Sequence, residues 1–560
     1  MDAPPLLPVS LLDLPDDLLG LLAQRLYDGN AHAGLLATCR RTRDVGCAAL
    51  TTAVIRWCAM CGTLDRNVVG SFPPAAVRPD GAHPAALSAR LSSVRAFLRR
   101  APHLRTLHLS DTGRCGGAYG GSPCDRFPAV REVTWRTVGD TLVGRPLARV
   151  TGPIPAVASV VRAARLPVLR ELVLLFSALP TDGMSVVGPM LRAVGPTLQK
   201  LVLRNPDRTG NTWVSDDAFP WEVTPVQLTA CFGGVALPAL TLNIDRAHVD
   251  MPAAEALAAA CPQLTELSMA ARLDVGVGDV WRLERGRLPA LRRLQLQVRD
   301  DRDHGIHTCG AEVRRFFAGR TLDTLCFGGF LLSAAEVSPW LTDAILGAAA
   351  LPRCLAIHDM ELDVADYEAL WADPRWAARL EYVSPPDLPP GTAVFMTLGS
   401  LPRLTSLTLT LDTDAFDGAE PPGSPWDGLP GLVLLTVGVA GHSAHLFQPR
   451  DPSPAAEARL AAAADWFFAT LVDPPCRPTL RSLRLVGRFV PDVAAFGRLR
   501  AYPALRALTT ILPPIEWAPP PPAADGRTTR PLGAADRRRL TRELLALLPG
   551  VTTRVCWRDC

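Results

Sequence analysis

Apolar positions recur in one phrase along most of the chain: proline, one residue, then apolar-x-x-apolar-x-apolar. It reads PHLRTLHL (102–109), PAVREVTW (128–135), PVLRELVL (167–174), PTLQKLVL (196–203) and PQLTELSM (262–269). It continues as PALRRLQL (289–296), PRLTSLTL (402–409), PGLVLLTV (430–437) and PTLRSLRL (478–485), with PALRALTT (503–510) as a degraded last copy. Weaker copies without the proline are TLDTLCF (321–327) and the segments around Leu355 and Leu380; LPALTL (237–242) keeps the leucine spacing in a shifted register. Adjacent clear copies lie 25 to 29 residues apart in most cases, as from Leu480 to Leu505 and from Leu169 to Leu198, and wider gaps hold weak copies or insertions. The last two apolar positions alternate, which places them on one face of a short strand. The segments between copies carry helical stripes, such as Ala254, Leu257 and Ala258, or Val313, Phe316 and Phe317. The proline before each predicted strand ends the preceding helix, because it cannot continue the hydrogen-bond ladder.

This period, with one strand and one helix per unit, resembles the leucine-rich repeat. CPQLTELSM (261–269) is similar to its cysteine-type variety, in which the helix runs into Cys-Pro before the strand. The resemblance implies an α/β solenoid, with a parallel sheet on the concave side and helices outside.

Residues 11–50 depart from the phrase. Pro15 suits a first helical turn, and Asp16 and Asp17 complement its positive end. Leu18, Leu19, Leu22 and Leu26 make a stripe at helical spacing, and 28–30 (DGN) stop it. A second helix carries Leu35, Leu36 and Cys39, followed by Arg40, Arg41 and Arg43. The stretch resembles an F-box, a small all-α domain. Its opening appears as Leu14, Pro15, Asp17, Leu18 and Leu19, and its Cys-Arg pattern as Leu35, Leu36, Cys39 and Arg40. The aromatic residue usual after Cys-Arg is replaced by Thr42 and Val45. The resemblance implies a substrate receptor of an SCF-type cullin–RING ubiquitin ligase. Its partners would be a Skp adaptor, a cullin scaffold and a protein substrate, with Leu14, Pro15, Leu18, Leu19, Leu22 and Leu36 as candidate adaptor contacts. Each leucine serves equally well as internal packing.

The domain reading is a tail at 1–10, the F-box-like domain at 11–50 and, at 51–84, a linker or cap with a proline-rich junction. The repeats with inserted loops follow at 85–530, and a capping helix and strand at 531–560. On the exposed strand positions the candidate substrate contacts are Lys200, Arg204, Glu266, Arg293, Gln295, Gln297 and Arg484. With Thr106, His108, Glu171, Val173, Ser268, Ser406, Thr408, Thr410 and Ser482 beside them, the strand face as a whole is mixed and mostly uncharged, which suits a protein partner better than a phosphate backbone.

Composition narrows the function classes. The chain of 560 residues is 48% hydrophobic and 20% charged, with a net charge of +3. That excludes a disordered polyelectrolyte and a generic basic nucleic-acid binder. Its 53 prolines are about twice the usual share, yet ten of them anchor the phrase. Lys200 is the sole lysine, and asparagine, isoleucine and tyrosine are scarce too, a pattern that GC-rich codons explain. A ligase receptor poor in lysine also offers few sites for its own modification. The first ten residues lack the basic start of a secretory signal, and no apolar run reaches membrane-spanning length. Fourteen cysteines are too sparse for a disulfide scaffold. A soluble cytoplasmic or nuclear protein is expected.

Candidate chemistry is thin. Cys58 and Cys61 form one C-x-x-C pair, whereas a structural zinc needs two further ligands; Cys115 and Cys124 lie downstream but make no second tight pair. His304, His307 and Cys309 lie among Asp300, Asp301 and Asp303 in an expected loop. Gly276 and Gly278 begin a G-x-G whose third glycine site is Trp281. No cofactor, metal or catalytic role is expected.

Overall fold

The computed structural model describes residues 40–58, 63–66, 84–110, 128–175, 183–204, 221–243, 247–272, 288–299, 320–332, 345–360, 369–384, 401–412, 429–440, 465–470, 477–486, 493–512 and 534–557, apart from a few positions within them, and isolated positions such as Leu19. Two compact units divide the chain: Met1–Ser268 with Leu288–Ala290, and Met269–Arg287 with Leu291–Cys560.

In the first unit α1 (Arg40–Ala49) leads into a hairpin of β1 (Thr52–Cys58) and β2 (Thr63–Arg66). Helix α2 (Pro84–Arg100) and β3 (Thr106–Ser110) follow, and β3 pairs parallel with β1. Next come α3 (Pro128–Thr141), β4 (Arg149–Pro153), α4 (Ile154–Ala164), β5 (Glu171–Leu175), α5 (Gly183–Val194) and β6 (Lys200–Arg204). A two-residue β7 (Trp221–Glu222) precedes α6 (Pro225–Phe232) and β8 (Ala239–Asn243). A two-residue β9 (Ala247–His248) pairs only with β7, and α7 (Met251–Ala260) leads to β10 (Glu266–Arg272). The main strands run β1-β3-β4-β5-β6-β8, all parallel, and Glu266 at the start of β10 bonds to the Pro238 carbonyl beside β8. The second and fourth strand positions, Leu107 and Leu109, Leu172 and Leu174, Leu201 and Leu203, Leu240 and Leu242, are buried. Each such side chain contributes about 2 kcal/mol of hydrophobic stabilisation, an upper figure. Consecutive helices α2 to α7 pack side by side. Thr224 and Gln227 close a reciprocal capping box at the start of α6, with Pro225 in its first turn.

The second unit holds β11 (Arg293–Arg299), β12 (Thr324–Leu332), β13 (Cys354–Met360), α8 (Arg375–Arg379), β14 (Tyr382–Ser384), β15 (Ser406–Asp412) and β16 (Leu434–Ala440). It ends with β17 (Ser482–Val486), a 3-10 helix (Val493–Ala501), β18 (Ala507–Leu512), α9 (Ala534–Leu547) and β19 (Thr552–Trp557). Every neighbouring pair from β11 to β19 is parallel. Parallel strands joined through helices or long crossovers, one per repeat, make each unit a leucine-rich-repeat α/β array.

The proline phrase sets the register with one exception. After Pro102, Pro167, Pro196, Pro262, Pro289, Pro402, Pro430, Pro478 and Pro503 the strand begins four residues on. The exception is 128–135, expected as a strand and found inside α3. Pro128 opens this helix instead of closing one, as its fixed φ and missing N–H allow. Burial follows the helical period: Thr134, Trp135, Val138 and Leu142 are buried, while Val133 is 57% exposed. The strand of that repeat is β4, where Pro146 comes one residue late and Gly152 takes the last apolar place. A side chain at Gly152 would meet the Leu109 backbone, with its Cβ 2.8 Å from the Leu109 carbonyl oxygen. The degraded copy is a strand too; Thr510 faces the core at 1% exposure, and among the described residues its hydroxyl has no hydrogen-bond partner.

Candidate interaction surface

The strand faces that do not meet the helices carry the candidate contacts. Register aligns the first positions of the first unit into a row: Thr106, Arg149, Glu171, Lys200 and Ala239, with Glu266 beyond it. Its charges alternate and pair internally. Arg149 Nε lies 3.6 Å from Glu171 Oε2, and Lys200 Nζ reaches across Ala239 to Glu266 Oε1 at 3.3 Å. Lys200 and Glu266 are thus brought together by folding, although 66 residues separate them. Both pairs are partly exposed, so each contributes little to stability.

The third positions form a second row: His108, Thr151, Val173, Val202 and Thr241. Thr151 and Val173 are buried, whereas His108, Val202 and Thr241 are partly exposed. His108 is half-buried, and burial lowers its pKa, with the positive charges of Arg149 and then Arg204 acting in the same direction. Arg204 is half-buried at the fifth position of β6.

A pH dependence follows. The unfolded chain binds a proton on His108 more readily than the folded one, so stability is fully present above the ordinary histidine pKa of about 6.5 and falls as the pH drops towards the lowered folded value. Between pH 7.5 and 5.5 the wild-type melting temperature is expected to fall further than that of His108→Gln. Parallel pH profiles of the two proteins would contradict this.

In the second unit, Arg293 and Gln295 are exposed on β11, and Gln297 lies opposite Gly328 in the ladder to β12. The row through Arg293 continues with Thr324, Cys354, Tyr382, Ser406 and Leu434, so no second cation or acid joins it there. Cys326, beside Gln295, has its thiol pushed up to about 11 by burial, which leaves it a protonated, unreactive group at neutral pH. Arg484 on β17 is exposed and faces Thr436 on one side and Thr509 on the other. Beyond Thr509 stands Arg554 of β19, also exposed. Sequence reading missed Arg554, because Pro549 sits one position late relative to the phrase and an arginine-threonine segment replaces the leucines.

Of the candidate adaptor contacts, Leu14, Pro15, Leu18, Leu22 and Leu36 lie outside the described residues. Leu19 is helical and 1% exposed, so its side chain packs inside the chain. Cys61, Cys115, Cys124, Gly276, Gly278, Trp281 and the 300–309 cluster also lie outside the described residues; Cys58 ends β1. Among the described residues no group of three or more His, Cys, Asp or Glu side chains gathers as metal ligands do. None of the described helices is long and apolar enough to cross a membrane. Cys261, the residue of the Cys-Pro junction, is buried after α7, and its thiol is pushed up to about 12 by that burial.

No family model matches the chain, and no curated protein matches it. Among solved structures, a leucine-rich-repeat protein of Leptospira interrogans is similar at 11% identity, covering 82% of this chain and 91% of that chain, with a TM-score of 0.26. The fold assignment stands on the proline-anchored register and the parallel ladders of this chain.

Proposed function

We propose that the chain is the non-catalytic substrate-recognition subunit of an SCF-type ubiquitin ligase. The F-box-like segment at 11–50 would dock on a Skp adaptor and so join the cullin scaffold, and the repeat sheets would hold a protein substrate. The observation that carries the reading is the order of the parts: an LPxDLL…LLxxCR segment directly ahead of a leucine-rich-repeat array with open strand faces. The function is proximity, since a tethered substrate gains a high effective concentration beside the ubiquitin carrier. No small-molecule cofactor is needed for that role, and a cytoplasmic or nuclear location fits it. The lone Lys200, held against Glu266, gives the receptor few amines of its own for modification.

The test is co-purification. The full chain is expected to retain a Skp adaptor at micromolar concentration, and a chain lacking residues 1–50, or carrying Pro15→Ala with Leu18→Asp, is expected to lose it. Partner capture that survives deletion of 1–50, with no adaptor bound by the full chain, would instead make the protein a ligase-independent interaction scaffold.

A further inference from the structure

The open strand face over β17, β18 and β19 differs from that of the first unit in the state of its charges. Arg484, Thr509 and Arg554 stand side by side in one row. Both arginines are exposed, and among the described residues neither has an ion-pair or hydrogen-bond partner. The residues 431–440, 479–486, 504–512 and 549–557, which hold β16 to β19, contain no Asp or Glu. In the first unit the cations on the open strand face lie one row away, at the first strand positions, and are neutralised by Glu171 and Glu266. Here the compensating anions are not supplied by the strands themselves. Hydroxyls surround the pair: Thr436 lies beside Arg484, and Ser482 and Thr552 occupy the first positions of β17 and β19.

We propose that this face docks an extended acidic segment of a protein partner, whose carboxylates pair with Arg484 and Arg554 across Thr509. Geometry favours that occupant. Two strand spacings separate the arginines, about 10 Å. A polyproline-II segment rises about 3.1 Å per residue with three residues per turn, so its side chains at i and i+3 share a face about 9 Å apart. A carboxylate pair three residues apart therefore matches the arginine pair, and the guanidinium groups present forks suited to carboxylates. A nucleic-acid strand fits less well. The nine open-face positions on β17 to β19, from Ser482 to Cys556, include no aromatic side chain on which bases would stack. The proposal rests on the reading of the repeats as a partner-binding surface and is independent of adaptor docking.

The experiment uses the full chain and a fluorescein-labelled (Glu-Pro-Pro)4 peptide, read by fluorescence anisotropy, with (Gln-Pro-Pro)4 as the neutral probe. Specific binding to the acidic peptide is expected, weaker at 200 mM than at 50 mM salt. Arg484→Gln with Arg554→Gln is expected to weaken it by at least about tenfold. Arg136→Gln with Arg162→Gln, exposed positions on α3 and α4, is expected to leave it unchanged and controls for the loss of two positive charges. Unchanged melting temperatures keep any loss attributable to the contacts. No binding by the wild type, equal affinity for the neutral peptide, or equal losses in the two double variants would each overturn the proposal. Tighter binding of labelled oligothymidylate through the same two arginines would also overturn it. Adaptor co-purification with the double variant separates the two questions, since retained adaptor with lost peptide binding fails neither reading.

Discussion

Trp376→Ala is expected to lower the stability of the second unit by about 3–5 kcal/mol. In the repeat that ends in β14, the five-residue α8 follows a helical segment at 369–372, and Trp376 packs with the buried Leu370 and Trp371 of that segment. Its ring is fully buried and lies 5.5 Å from that of Trp371 at a tilt of 46°. The indole N–H donates to the Leu370 carbonyl at 2.6 Å. Arg375 anchors the same turn by pairing with Asp373 and donating to the Leu346 and Ala348 carbonyls of the preceding repeat. Alanine at 376 would open a large cavity and leave a buried carbonyl without its donor, two costs of different origin. Trp376→Phe separates them: it keeps most of the ring packing and loses the hydrogen bond, at an expected cost of about 1–3 kcal/mol. Urea midpoints and m-values of the three proteins measure this. If alanine and phenylalanine cost the same, packing at 376 is not what holds the repeat.

The repeat phrase carried the architecture because it encodes two physical constraints at once. A proline ends a helix, and four residues later an alternating strand begins; nine positions from Pro102 to Pro503 obey that rule. Where it misled, at Pro128, the same residue type has a second legitimate use in a first helical turn, and only the burial of Trp135 with Val138 tells the uses apart. Where it was silent, at β4 and β19, the proline had slipped by one residue and an apolar position had been given to Gly152 or Thr553. Strand pairing in a parallel ladder tolerates such changes, because backbone bonds and the neighbouring strands hold the register. The open face was less legible than the core. Individual positions such as Lys200, Glu266 and Arg484 could be placed on it, but their partners could not. Lys200 meets Glu266 across an intervening alanine, and Arg484 meets Arg554 across Thr509; both relations depend on a register that spans insertions of different length. The exposure of Arg484 beside the burial of Val173, at equivalent strand positions, was likewise invisible without the fold.

Gly188→Ala is expected to destabilise the first unit by roughly 1–3 kcal/mol, against the ordinary preference for alanine in a helix. Gly188 lies in α5, one residue before Pro189, where α5 approaches α6. A Cβ there would clash with the Ala230 carbonyl oxygen and stand 3.3 Å from the Cys231 Cα. These are backbone atoms of a packed helix, so no side-chain rotation relieves the clash and the two helices must separate. Separation would also stretch the Arg192 hydrogen bond to the same Ala230 carbonyl, now 3.2 Å. Cys231, at this contact, is fully buried, and its thiol is pushed up to about 11 by that burial, so loosening here would expose it to alkylating reagents. Gly497→Ala is the matched control: among the described residues its Cβ would meet only the Leu547 Cδ1, at 3.9 Å. That change is expected to be neutral or slightly stabilising, because it removes unfolded-state freedom without a clash. Thermal midpoints and the rate of Cys231 labelling in the two variants test the contrast. A Gly188→Ala protein as stable and as slowly labelled as the wild type would mean that α5 and α6 do not need their close backbone approach.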